Sequence, residues 1–69
     1  MLQANIVEIA LSLGWKRWGN LRLYKHSYYQ CFRRANEYIW IGLRYIERST
    51  NQIALDYVGN PEKVHSFLA

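Results

Sequence analysis

YYQCFRRANEYIWIGLRYI, Tyr28 to Ile46, decides the fold because it satisfies two incompatible patterns. Tyr28, Cys31, Phe32, Ala35, Ile39, Leu43 and Ile46 recur at helical spacing, and Ser27 followed three positions later by Gln30 matches a capping box. That pattern describes a mostly α protein with a long helix over 28–50. It would put Trp40 and Ile41 on the helix's polar side. The run from Tyr38 to Ile46 is also dense in β-branched and aromatic residues, holds Gly42 in its middle, and follows a short turn at Ala35-Asn36-Glu37. The pattern therefore favours two strands, Tyr28 to Arg34 and Tyr38 to Ile46.

Outward from this segment the chain becomes easier to read. Leu21 to His26 alternates as a half-buried strand entered through Gly19-Asn20, and Gln52 to Val58 alternates again after a polar turn at Glu47 to Asn51. Leu2, Ile6, Ile9, Ala10 and Leu13 mark one face of an N-terminal helix, which Gly14 ends in a left-handed cap. Asn60 as N-cap, Pro61 at the first helical position and Glu62 near the positive end of the dipole start a last helix, Pro61 to Leu68.

The expected architecture is a small α+β domain over 1–69, ordered α-β-β-β-β-α, with an antiparallel sheet of three to four strands. Its connections are too short for parallel crossovers. Counting by parity puts Leu21, Leu23, Ile39, Ile41, Leu43, Ile53, Leu55 and Tyr57 under the first helix. Arg22, Tyr24, His26, Tyr28, Phe32, Arg34, Tyr38, Trp40 and Arg44 then share the opposite face.

A chain of 69 residues buries only about 60% of its unfolded surface, so its core is small. With 51% hydrophobic residues it is nonetheless too apolar to stay disordered. Three Trp, six Tyr and two Phe exceed what such a core holds, which predicts exposed rings. A net charge of +4 favours anionic partners. The lone Cys31 excludes an intramolecular disulfide, and no Cys or His cluster suggests a metal. A cytoplasmic protein is expected. The first residues predict neither an export signal nor a spanning helix, hence no membrane partner.

Gly14 to Arg34 contains six Lys or Arg and no acid. Rings on an open sheet face stack unpaired bases while basic side chains hold phosphates, so Arg22, Tyr24, Tyr28, Arg34, Trp40 and Arg44 are the candidate contacts to RNA or DNA. Lys16, Arg17 and Trp18, in the loop after the first helix, are candidates for the phosphate backbone. Trp15 is expected to seal the core.

The same surface also suits a protein partner, as in a phage or mobile-element inhibitor or an accessory subunit, or self-association as a homodimer. No glycine-rich phosphate loop or small-molecule cofactor site is legible. None of Glu8, Glu37, Glu47, Asp56 and Glu62 lies close in sequence to His26, and His26 and His65 are the only histidines, so the chain is read as a binding protein and not an enzyme.

Two resemblances accompany this reading. A helix, Gly14-Trp15, then strands with Lys25-His26-Ser27 ahead of an aromatic strand looks somewhat like the HicA mRNA-interferase toxins, whose α-β-β-β-α fold is similar to double-stranded-RNA-binding domains. That resemblance implies, as a third reading, a ribonuclease using His26. The segment from Tyr38-Ile-Trp-Ile-Gly-Leu through Arg48 to Gly59 resembles a hairpin of ribonuclease-H-like transposase domains, which implies strands there. No acid occurs between Glu8 and Glu37, so metal-dependent chemistry is not implied.

Overall fold

A computed structural model describes residues 4–24, 26–55 and 61–69. Helix α1 (Ala4–Ser12) is followed by strands β1 (Lys16–Arg17), β2 (Arg22–Tyr24), β3 (Ser27–Arg34), β4 (Glu37–Gly42), β5 (Tyr45–Arg48) and β6 (Asn51–Ala54), then helix α2 (Pro61–Leu68). The sheet is antiparallel, ordered β1-β3-β4-β5-β6, with β2 pairing the other end of β3's outer edge. The α+β class is as expected. The long helix over 28–50 is not formed: those residues run through β3, β4 and β5.

Helix α1 stops where the sequence says it should. Gly14 adopts φ 91°, its N–H bonds the Leu11 carbonyl, and the Trp15 N–H bonds the Ala10 carbonyl at 3.0 Å. This pair of bonds is a Schellman cap, and the accompanying apolar contact falls to Trp15 and Ala10, both buried. The buried stripe of α1 is Ile6, Val7 and Ala10, with Ile9 and Leu13 half-buried; Leu2 lies outside the described residues.

Several sequence boundaries are corrected. The expected strand Tyr38 to Ile46 breaks at Leu43-Arg44 into β4 and β5, and Lys16-Arg17, read as loop, pairs with β3 as β1, so the sheet has six strands instead of three or four. Glu47, Arg48 and Asn51, read as turn on polarity alone, are strand residues; Glu47 faces the uncovered side and Arg48 is ion-paired, so neither opposes the sheet. His26, expected to end β2, sits in the turn to β3 at φ 64°. The expected strand residues Asp56, Tyr57 and Val58 and the N-cap Asn60 lie outside the described residues.

The largest correction concerns which residues share a face. Every ladder pairs residues whose numbers differ in parity, as in Arg34 with Glu37, Ile41 with Ile46, and Arg48 with Asn51. Two-residue turns such as Ala35-Asn36 and Ser49-Thr50 impose this, because the flanking positions i and i+3 face each other. Directly opposed residues share a face, so odd and even exchange sides at each strand. A single parity count across the chain therefore mixes the two faces.

Both helices pack on one face. There Phe32, Ile39, Ile41 and Ile46 form a core with Ile6, Val7, Ala10, Trp15, Val64 and Leu68. Each large side chain so buried contributes roughly 1.5–3 kcal/mol. Phe32, expected on the open face, is fully buried in this core. Leu21, Leu23 and Leu43, expected to be covered, are exposed: α1, nine residues and so about 13 Å long, cannot span the whole sheet.

Trp15 ties the helices to the sheet. Its indole N–H donates to the Leu68 carbonyl at 2.8 Å, and the guanidiniums of Arg34 and Arg48 lie 4.2 and 5.4 Å from its ring. Arg34 donates to the carbonyls of Leu13 and Ala69, and Arg48 donates to those of Phe67 and Ala69. Two cations thus meet the negative ends of both helices. Arg48 also binds both carboxylate oxygens of Glu37 at 3.1 Å, and these hydrogen bonds hold the Glu37 carboxyl below its usual range.

Candidate functional site

The face away from the helices carries Trp18, Tyr29, Tyr38, Trp40 and Tyr45. Register sets them in rows across the strands. Lys16, Arg33 and Tyr38 form one row; Cys31, Trp40, Glu47 and Gln52 form the next; Arg22, Tyr29 and Gly42 form a third. Tyr45 and Ala54 continue the face on β5 and β6.

Two arginine–aromatic pairs stand on this surface. Arg33 lies 5.7 Å from the ring of Tyr38, its cross-strand partner, and Trp18 meets the same ring edge-on at 5.3 Å. Trp18, carried by the loop after β1, is held there by its backbone N–H bonding the Cys31 carbonyl. Arg22 reaches from β2 to within 5.6 Å of the Trp40 ring. Among the described residues Arg22 makes no hydrogen bond or ion pair, so its donors face solvent.

Tyr29 owes its place to a glycine. A Cβ on Gly42, its cross-strand partner, would fall 2.5 Å from the Tyr29 ring, so the ring lies across strand β4 where any other residue would lift it. Between these groups lies a cleft of about 410 Å³ lined by Arg22, Leu23, Tyr29, Trp40 and Glu47. A second depression shares Tyr29 and Glu47 and continues toward His26, Arg44, Tyr45 and Gln52. The two make one groove across the strands.

Of the residues proposed from the sequence, Lys16, Trp18, Arg22 and Trp40 are brought together here, and the side chain of Tyr24 lies outside what the structure describes. Arg44 lines the far end of the groove. Three are not part of it. Arg17 pairs with Phe32 on the helix side, its guanidinium 5.9 Å from that ring. Tyr28 also points to the helix side, opposite Leu23. Arg34 is engaged with Trp15 and the helix ends. Tyr29 and Arg33, missed by the parity count, belong to the site; the two-residue turn at Ala35-Asn36 was the signal that would have found them.

Cys31 opens onto the same face but is only 2% exposed. Burial pushes its thiol up against the opposing pull of Arg22, which disfavours the thiolate. Among the described residues no cluster of His, Cys, Asp or Glu is arranged to hold a metal ion, and no helix is long and apolar enough to cross a membrane. Comparison of the chain with protein-family models, with curated proteins and with solved structures finds no match.

Proposed function

We propose that this small basic protein binds single-stranded nucleic acid along the open face of its sheet. One observation carries the reading: Trp18, Tyr38 and Trp40 share that face with Arg22 and Arg33, each arginine stacked on a ring. Rings offer stacking platforms to unpaired bases, and adjacent guanidiniums hold the phosphates that connect them. Lys16, beside Arg33, and Arg44, at one end of the groove, extend the positive surface. No catalytic role for His26 is proposed; it stands in an exposed turn at the groove's margin.

Fluorescence anisotropy with labelled single strands at low and physiological salt tests this. Expected is binding that weakens steeply with salt, through counterion release, and that falls on Trp40→Ala. Equal affinity for duplex and single strand would remove the stacking argument.

A second reading has its own observation. Leu23 and Tyr28, cross-strand partners beyond the reach of the helices, are 64% and 53% exposed, and Leu21 adjoins them at 54%. Such an apolar patch suits a protein partner or a second copy of the chain. Light scattering on the wild type and on Leu23→Ser distinguishes these: a dimer lost in the variant assigns the patch to self-association.

A further inference from the structure

The open face is basic, yet a carboxylate stands in the middle of it. Glu47 faces Trp40 across one ladder and Gln52 across the other, and lines both parts of the groove. For a surface that holds phosphates this is a repulsive element.

Solvation alone does not account for it, since Glu47 is half-buried among Tyr29, Trp40 and Arg22. Nor is it neutralised. Among the described residues its side chain makes no ion pair or hydrogen bond, although Arg22 lines the same cleft. Glu37 shows the contrast, both of its oxygens being taken by Arg48. Glu47 therefore presents its acceptor oxygens beside two rings.

We infer that this cleft is a base pocket selective for guanine, with Trp40 and Tyr29 contacting the base, Glu47 accepting from its Watson–Crick edge and Arg22 serving the adjoining phosphate. The inference rests on the nucleic-acid reading above and adds a specificity to it. An ionised carboxylate has two acceptors and no donor, and guanine offers two adjacent donors, N1–H and N2–H, that match it. Adenine and cytosine offer one amino donor beside a ring acceptor, which would confront the carboxylate unpaired. Uracil offers a single N–H between two carbonyls. A partly desolvated group that offers a particular hydrogen-bond pattern discriminates against bases that leave it unsatisfied.

The test uses a short oligouridine carrying one central guanosine, inosine or adenosine, titrated against wild type and Glu47→Gln at fixed salt. Expected for wild type is guanosine about 10- to 100-fold tighter than adenosine, with inosine, which lacks the N2 amino group, in between. In Glu47→Gln the three converge, while plain oligouridine binds at least as well as before because a negative charge has been removed. Circular dichroism of the variant checks its fold, and the inosine comparison needs no variant at all.

Salt-sensitive binding without guanosine preference overturns the pocket and leaves the interface standing. A preference that survives in Glu47→Gln removes Glu47 from the role. Failure of every oligonucleotide to bind, even at low salt, overturns both readings and points the surface toward a protein partner.

Discussion

The two sides of the sheet use the same chemistry to opposite ends. Under the helices, Arg34 and Arg48 lie against Trp15 with their donors spent on helix carbonyls and on Glu37. On the open side, Arg22 lies against Trp40 and no described hydrogen bond uses its donors. Ring–guanidinium stacking is common to both, so it cannot by itself mark a binding site. What separates them is the saturation of the donors: Arg34 and Arg48 are closed into the fold, whereas among the described residues Arg22 makes no hydrogen bond and Arg33 makes one, to the Ala35 carbonyl.

The contrast is most exposed to failure at the tryptophans. Trp15→Ala should cost about 3–5 kcal/mol in denaturant unfolding, as a large buried ring is removed. Trp40→Ala should leave stability within about 0.5 kcal/mol and instead weaken oligonucleotide binding by about 1–3 kcal/mol. Comparable destabilisation by both would erase the distinction.

The arginines give a smaller effect of the same form. Arg48→Ala should destabilise by roughly 1.5–3 kcal/mol, the range for lost hydrogen bonds to charged groups. Arg22→Ala should not, but should lower the slope of log affinity against log salt by about 1. Gly42→Ala sharpens the picture of the open side: the new methyl lifts the Tyr29 ring, and anisotropy should report a loss of about 1 kcal/mol in binding.

The smallest effect is expected from pH. Because Arg48 holds the folded Glu37 below its usual range, that pair adds stability above the unfolded value, and the contribution fades as pH falls through the folded one. Thermal melts across the acid range should therefore show a shallower pH dependence for Glu37→Gln than for wild type.

Much of the frame was legible in the sequence. Gly14 and Pro61 bound the helices as local chemistry requires, since a left-handed cap and a fixed φ at the first helical position need no tertiary information. The choice of strand over helix for Tyr28 to Ile46 was also correct, carried by Trp40, Ile41 and Gly42.

Which residues share the open face was half legible. Trp18, Arg22 and Trp40 were found by residue type, but Tyr28 and Arg34 were exchanged for Tyr29 and Arg33, because face membership depends on how many residues each turn holds. Ala35 contributed to that error: it takes φ 51° in its turn, a conformation glycine or asparagine would have announced. Arg34 and Arg48 could not be told from ligand-binding arginines, since their partners are backbone carbonyls brought from elsewhere in the chain.

The bond from the Trp15 indole to the Leu68 carbonyl joins positions 53 residues apart, whereas the described strand pairings come mostly from neighbouring hairpins. In kinetic terms the two kinds of contact differ in the chain that each must close. Hairpins close on the microsecond scale, and distant contacts wait on the entropy of the intervening chain. The meander, with its open face, would be assembled before the indole finds its acceptor. Helix docking, which buries Trp15, would then follow the hairpins.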